Sequence, residues 1–177
     1  FYGMNLGTLG FLLNEYNIKN LTKRIAKADA ISVHPLRMKT KDRKGKVREA
    51  LAFNEVSLLR QTHNSAKIKI KINGKERLSE LVCDGILLST PMGSTAYNSS
   101  AGGRVVPLDA NVMPLTPISA FRPRRWPGAL LPSGARVRFE VLHAGERPVS
   151  ATADSNEVRD IVRVDISRAR DMAGTLL

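Results

Sequence analysis

A segment rich in glycine and hydroxyl side chains, STPMGSTAYNSSAGG at 89–103, has the composition of a nucleotide-binding loop. It contains three Gly, four Ser and two Thr, and it also carries Tyr97 and Asn98. Glycine and small hydroxyl residues let a ligand approach the backbone and offer N–H and O–H donors. Such a loop, leading into a short helix, suits a phosphate, a ribose hydroxyl or a base edge, and Tyr97 offers a ring for stacking. The alternative is an ordinary Ser/Gly-rich surface loop.

An amide and a carboxylate stand side by side at Asn54 and Glu55, inside an apolar stretch that predicts one strand over 50–59. A buried acid in such a strand is costly unless the carboxylate has a partner. An adjacent amide and carboxylate can hold the vicinal hydroxyls of a ribose. The alternative is that one of the two faces solvent, because strand side chains alternate in direction. Asp84-Gly85, before the apolar run 86–88, is by itself a weak candidate for chemistry, because Asp before Gly is common in turns.

Other reactive groups are scattered. Three arginines in FRPRRW at 121–126 could bind phosphates, or they could form a cationic edge or a subunit contact. The prolines in this stretch indicate an extended segment. The histidines His34, His63 and His143 lack the spacing of metal ligands. Because Cys83 is the single cysteine, the sequence predicts neither an internal disulfide nor a cysteine metal site. A Walker phosphate loop is absent as well. We therefore predict no metal site.

The patterning around these candidates is mostly that of β-strands. Lys and Ile alternate strictly in KIKIKI at 67–72, which indicates a half-buried strand. The following Asn73-Gly74 indicates a tight hairpin with a return strand near 77–82. The same alternation recurs at 136–141 and 162–166. Many short strands with turn residues between them predict a mainly β fold, a two-layer antiparallel β-sandwich with few short helices.

Two segments have a different character. Apolar residues at helical spacing predict a helix over 17–29, with Asn17 as its N-cap. The charged stretch KTKDRKGK at 39–46 contains a glycine and predicts a solvated hairpin loop.

Length and charge limit the classes of function. The chain has 177 residues and a formal net charge of +12, so its surface favours anions such as nucleic acid, phosphorylated metabolites or acidic lipid head groups. No apolar run approaches the roughly 18 residues of a membrane span, and no signal peptide opens the chain. We therefore expect a cytoplasmic protein. Because the first residue is Phe1, we also expect the sequence to start inside a longer protein.

Four segments, in order, resemble the NAD kinase family: GMNLGTLGFLLNEY at 3–16, ALAFNEVSLLR at 50–60, DGILLSTPMGSTAYNSSAGG at 84–103 and LTPISAFRPRRWPGALLP at 115–132. The first is similar to the family's glycine-asparagine strand and Leu-Gly-Phe-Leu turn, and the second carries its Asn-Glu pair. The third, with its threonine-alanine-tyrosine loop, is the most specific. Together with ADSNEV at 153–158, the resemblance reaches across nearly the whole chain.

The resemblance implies an enzyme that transfers the γ-phosphoryl group of ATP, or in some members polyphosphate, to the adenosine-ribose 2′-hydroxyl of NAD. It implies that Asn54 and Glu55 hold ribose hydroxyls and that Asp84 seats the nicotinamide end, often across a subunit boundary. The substrate-binding residues that it predicts are Asn54, Glu55, Asp84, Thr95, Ala96, Tyr97, Asn98, Ser99, Ser100, Ser119 and Asn156. It also implies Mg²⁺ with the ATP, a homodimer or homotetramer, and no nucleic-acid or membrane partner.

The family's Gly-Gly-Asp-Gly loop, whose Asp acts as general base, does not occur in the sequence. We expect that loop upstream of Phe1, in an N-terminal α/β domain, and therefore predict no catalytic residue here and no activity of this chain alone. Residues 1–16 would enter from that domain, and residues 17–177 would form the substrate-binding sandwich. Smaller departures are Met92 in place of a small hydroxyl residue, Asn156 in place of Gln, and Pro107 in place of a frequent His.

Two rival functions remain. A lipid kinase of the diacylglycerol or sphingosine type would share the architecture, but the Asn-Glu pair and the threonine-alanine-tyrosine loop favour NAD. A basic nucleic-acid-binding β-domain would need exposed aromatic rings interleaved with Lys and Arg. Aromatic residues make up only 5% of the chain, and the strand at 67–72 has none.

Overall fold

The computed structural model describes residues 1–8 and 13–177. The Leu-Gly-Phe-Leu turn predicted at 9–12 lies outside the described residues. The strands of the described part are β1 (Met4–Asn5), β2 (Asn14–Glu15), β3 (Ile31–Val33), β4 (Leu36–Asp42), β5 (Val47–Ala52), β6 (Glu55–Arg60), β7 (Ala66–Ile72), β8 (Lys75–Cys83), β9 (Gly85–Ser89), β10 (Val112–Ile118), β11 (Ala129–Pro132), β12 (Val137–Val141), β13 (Val149–Ala153), β14 (Asn156–Val158), β15 (Ile161–Arg168) and β16 (Gly174–Leu176). The helices are α1 (Leu21–Ala26), a 3₁₀ helix (Met92–Thr95) and α2 (Tyr97–Ser100). None of these helices is long and apolar enough to cross a membrane.

Two six-stranded sheets face each other. Sheet I has the order β11-β10-β9-β6-β13-β14, and sheet II has the order β5-β4-β15-β12-β7-β8. All neighbouring strands within each of these sheets are antiparallel. Two smaller sheets pair β1 with β2 in parallel and β3 with β16 in antiparallel fashion. The architecture confirms the predicted two-layer antiparallel β-sandwich.

The core lies where the apolar sides of the two sheets meet. In β7, Ile68 and Ile70 are buried, while the intervening lysines point away from the core. The fully buried Phe139 of β12 pairs with Ile70 on one side and with Val164 of β15 on the other. This arrangement follows from the two-residue period of a strand, which sends alternate side chains to opposite faces. The strand and hairpin predicted at 67–74 are confirmed, although the return strand is longer than 77–82.

The predicted helix over 17–29 is wrong in extent, because α1 contains only six residues. Asn20, in the left-handed region at φ 53°, precedes the helix. The side chain of Asn17 instead accepts a hydrogen bond from the N–H of Lys19, at 2.9 Å, outside the helix. Ile18 and Ile25 are exposed, so their helical spacing does not mark a face that packs on the core.

The loop predicted over 39–46 is wrong in its first half, which belongs to β4. The inward-facing side chains there are Thr40 and Asp42, and both are buried. The Asp42 carboxylate is satisfied by the backbone N–H groups of Lys44 and Lys46 and by Arg48. Because these inward positions are polar, the hydrophobic alternation that reveals the other strands is missing here.

Candidate functional site

The Asn54-Glu55 pair lies where the chain crosses from one sheet to the other. The single strand predicted over 50–59 is wrong: β5 ends at Ala52 in sheet II, and β6 begins at Glu55 in sheet I. Asn54 occupies the crossover, and its carbonyl accepts a hydrogen bond from the N–H of Thr90, at 2.9 Å. The Thr90 hydroxyl also donates to the carbonyl of Phe53, at 2.6 Å. The crossover is therefore attached to the start of the glycine- and serine-rich segment.

Asp154, in the turn between β13 and β14, holds the same crossover from the opposite side. Its carboxylate accepts hydrogen bonds from the N–H groups of Phe53, Asn54 and Glu55, at 2.7, 3.0 and 3.3 Å. Asp154 is not among the site residues predicted from the sequence. The available signal was its position in ADSNEV at 153–158, in the same segment as the predicted Asn156.

The Glu55 side chain is half-buried on the outer face of sheet I, and its pKa is raised to about 7. Burial is the main cause, the nearby charge of Asp154 adds to it, and a hydrogen bond from the backbone N–H of Tyr97 opposes it. Among the described residues, the buried Oε2 atom of Glu55 has no hydrogen-bond partner. A buried carboxylate oxygen without a partner is costly, so the Glu55 carboxylate is incompletely satisfied by the residues around it.

The glycine- and serine-rich segment folds as the 3₁₀ helix followed by α2 and packs against β9. Gly93 permits the closest approach: a Cβ atom at this position would lie 2.1 Å from the carbonyl oxygen of Asn54. The N–H of Gly93 is bound by the Thr90 hydroxyl, at 3.0 Å. Residues 90–93 and the Asn54 crossover therefore form one packed unit.

The predicted site residue Asn98 is fully buried, and its carboxamide is occupied within the protein. It donates to the carbonyls of Ser94 and Arg104, each at 3.0 Å, and accepts from the Thr116 hydroxyl at 2.7 Å. A buried polar side chain with three such bonds holds a loop in place. Asn98 thus holds the glycine- and serine-rich segment in place and joins it to β10.

We expect Asn98→Ala to lower the free energy of unfolding by about 2–3 kcal/mol, because it leaves the Thr116 hydroxyl and two carbonyls without their partners. Urea titration measures this loss. Ser99→Ala, at the exposed neighbouring position, is the matched control and should change stability by less than about 0.5 kcal/mol. Equal stabilities of the two variants would contradict the supporting role.

Tyr97 and Asp84 lie at the other end of the site. Burial and the charges of Glu55 and Asp84 raise the pKa of the Tyr97 phenol, so its ring lies within the field of both carboxylates. Asp84 is half-exposed; its Oδ1 accepts from Nε of Arg60 at 2.6 Å, and its N–H donates to the carbonyl of Ile118. The structure thus places Glu55 and Asp84 near the Tyr97 phenol, with Asn54 next to Glu55 at the crossover.

The remaining predicted residues lie around this group. Ser119, with φ 50°, immediately follows Ile118, and Asn156 opens β14 two residues after Asp154; both are exposed. Thr95 and Ala96 are partly buried where the 3₁₀ helix meets α2, whereas Ser99 and Ser100 are exposed on α2. The arginines of the 121–126 segment are exposed as well. A separate cavity of about 80 Å³ opens between His34, Met92 and Asp109 and is lined by none of the predicted site residues.

The fold is that of a β-sandwich domain, and the predicted nucleotide-binding residues lie around one candidate site. Residues 53–169 match the family model of the ATP-NAD kinase C-terminal domain. The NAD kinase of Caulobacter vibrioides is 57% identical over 176 residues, which cover 99% of this chain and 68% of the relative. The NAD kinase of Rhizobium meliloti is 52% identical over 99% of this chain and 68% of its own length. The chain belongs to the NAD kinase family, as its motifs predict.

Solved structures share the fold. The crystal structure of yeast NADH kinase complexed with NADH superposes with a TM-score of 0.85, at 24% identity over 98% of this chain and 52% of that one. An NAD kinase from Archaeoglobus fulgidus in complex with ATP gives a TM-score of 0.81, at 22% identity over 99% of this chain and 67% of that one. This chain therefore spans about two thirds of its curated relatives and about half of the yeast enzyme.

Proposed function

We propose that this chain forms the NAD-binding wall of an NAD kinase, which transfers the γ-phosphoryl group of ATP to the 2′-hydroxyl of the adenosine ribose. The observation that carries the proposal is the Asn54-Glu55 pair. It is held at the crossover between the sheets by Asp154, and one buried oxygen of its half-buried carboxylate has no partner among the described residues. Family membership identifies the ligand class for which such a pair is suited.

The residues divide by what they offer a dinucleotide. The Asn54 amide and the Glu55 carboxylate would bind the ribose hydroxyls, which donate to the carboxylate. Tyr97 would stack on a base, with Thr95, Ala96, Ser99 and Ser100 completing its surroundings. Asp84 and Ser119 would contact the nicotinamide half, and Asn156 the edge next to Asp154. Asn98 would act through the position of its segment. We assign none of the described residues as the base that deprotonates the hydroxyl.

Phosphoryl transfer relies on positioning and charge neutralisation, and the donor ATP would arrive with Mg²⁺. Among the described residues, no group of three or more His, Cys, Asp and Glu side chains could hold a metal ion, and we assign none as a Mg²⁺ ligand. We further propose a cytoplasmic homodimer or homotetramer, with residues 17–177 as the substrate-binding sandwich and residues 1–16 as the segment that enters it. Whether polyphosphate replaces ATP is tested by supplying each donor alone.

The charge distribution supports a small-molecule ligand rather than nucleic acid. The lysines of β7 are paired with acids on neighbouring strands: Lys67 with Glu80 and Lys69 with Glu76, both at 3.1 Å, and Lys71 with Glu140 at 2.8 Å. A row of cations that is neutralised across strands binds a phosphate backbone poorly, because that binding needs free Lys and Arg side chains that replace the condensed counterions and release them into solution. The alternating basic strand therefore stabilises sheet II instead of marking a nucleic-acid interface.

Calorimetric titration with NAD tests the proposal. We expect Asn54→Ala and Tyr97→Ala each to weaken NAD binding by about tenfold or more, because each removes a direct contact. Asn64→Ala, at an exposed position in the turn after β6, is the matched control and should leave binding unchanged. NAD affinities of both site variants equal to that of the parent would show that the substrate binds elsewhere.

A further inference from the structure

The turn between β13 and β14 closes a hairpin and also places a carboxylate beside the crossover. Ala153 pairs with Asn156, which leaves Asp154 and Ser155 as the two turn residues, and Asp154 adopts φ 49°. Asp and Asn tolerate this left-handed conformation better than most residues. The turn lies directly beside β6, because Ala153 also pairs with Val56. It therefore places the Asp154 side chain next to the crossover at Phe53-Asn54.

The crossover needs such a partner. Phe53 and Asn54 lie between β5 and β6, and their N–H groups, with that of Glu55, converge on the single carboxylate of Asp154. Successive N–H groups that point into one concavity form an anion-binding nest. Hydrogen bonds to an ionised acceptor are about twice as strong as neutral ones. The N–H of Asp154 also donates to the carbonyl of Glu55, at 3.2 Å, so the turn and the crossover are bound in both directions.

We propose that Asp154 is a positioning residue for NAD: its carboxylate sets the backbone of the Asn54-Glu55 pair and thereby the direction in which both side chains meet the ribose. This inference rests on the proposed function. Asp154 acts through the pair and need not touch the substrate. Asp154 lies 101 residues after Phe53 in the sequence, so the site is assembled from two distant segments.

The charge of Asp154 gives the proposal a signature that a purely structural contact lacks. One titratable group acts on the Glu55 carboxyl, Asp154 from the β13–β14 turn, and the backbone N–H of Tyr97 in α2 donates a hydrogen bond to it. Asp84, at the far end, acts on the Tyr97 phenol. Since Asp154 disfavours the charged form of Glu55, removing its charge makes Glu55 easier to ionise. The midpoint of the pH profile of NAD binding should then move to lower pH.

The experiment compares Asp154→Ala and Asp154→Asn with the parent protein, by NAD calorimetry from pH 5.5 to 8.5. We expect Asp154→Ala to weaken NAD binding about tenfold at pH 8, because three N–H groups lose their acceptor. Asp154→Asn keeps the shape and an acceptor oxygen, so it should recover part of that loss and shift the midpoint to lower pH. Asp160→Asn is the matched control, since Asp160 is another exposed Asp with positive φ, at the other end of β14.

The possible results separate the two proposals. If the parent protein itself does not bind NAD, the proposed function fails. If the parent binds NAD and Asn54→Ala weakens it, but both Asp154 variants bind like the parent with the same midpoint, the positioning role is overturned and the function stands. A loss of affinity that is equal in both Asp154 variants, with an unmoved midpoint, also overturns it. Asn keeps the shape and an acceptor oxygen that Ala lacks, and both variants lack the charge.

Discussion

Glu55→Gln is expected to weaken NAD binding by about thirtyfold at pH 8 and, at the same pH, to make the fold more stable. The loss of affinity follows because a ribose hydroxyl donates more strongly to a carboxylate than to a neutral amide. With a pKa of about 7 for Glu55, the parent should bind NAD increasingly well as the pH rises from 6 to 8. The variant has no titrating group at this position, so its affinity should hardly change over that range.

The variant should be more stable at pH 8, although it binds NAD more weakly, because the folded protein disfavours the ionised form of Glu55. Its pKa in the folded state lies above the ordinary value of 4.5, so the unfolded chain loses this proton first as the pH rises. The stability linked to the protonated carboxyl is therefore full below about pH 4.5 and is lost as the pH passes through 7. Since Glu55 is only half-buried, solvent screening reduces the effect, and we expect the variant to gain about 1 kcal/mol at pH 8.

Urea unfolding at pH 5 and pH 8, together with NAD calorimetry at pH 6 and pH 8, measures both effects. Glu146→Gln, at an exposed loop position, is the control and should alter neither quantity. A variant that is less stable than the parent at pH 8 would contradict the cost assigned to the Glu55 charge. A variant that binds NAD as tightly as the parent at pH 8 would remove Glu55 from the ribose contacts. Weaker NAD binding together with a higher free energy of unfolding would show that Glu55 serves ligand binding at the expense of stability.

The sandwich could be predicted because apolar and polar side chains alternate along its strands. Ile68 and Ile70 lie between lysines, and one face must be buried while the other stays hydrated. The prediction failed where that contrast disappears. In β4 the inward residues Thr40 and Asp42 are polar and are satisfied by their own turn and by neighbouring backbone, which leaves no hydrophobic period to detect.

The candidate site could be predicted by residue type but not by how it is assembled. Asn54, Glu55 and Tyr97 stand out because polar groups interrupt or follow apolar runs. The boundary between β5 and β6 at Phe53-Asn54 does not stand out in the sequence, since the residues on both sides are equally apolar. What ends β5 there is a set of tertiary contacts, from Asp154 on one side and Thr90 on the other. Such contacts depend on strand pairing over long sequence separations, which local patterns do not encode.

Gly93→Ala is expected to have the largest effect on the site, because the added methyl group meets backbone rather than a movable side chain. The new Cβ would lie 2.1 Å from the carbonyl oxygen of Asn54 and 2.5 Å from its Cα. Real Cβ contacts are never this short, so the segment and the crossover must separate. That separation strains the hydrogen bond from the Thr90 N–H to Asn54, which is 2.9 Å long in the parent.

We expect the separation to cost about 2–3 kcal/mol of stability, as overpacking of a rigid contact does. NAD affinity should fall about a hundredfold or more, because the shift displaces both the Asn54-Glu55 pair and the segment that carries Tyr97, and two lost contacts of about tenfold each multiply to that size. Gly145→Ala is the matched control, because the Cβ added there would lie 3.7 Å from an arginine side chain, an ordinary contact. If Gly93→Ala binds NAD and unfolds like Gly145→Ala, then the contact between the segment and Asn54 does not set the geometry of the site. A loss confined to NAD binding, with stability unchanged, would instead mean that residue 93 faces the substrate directly.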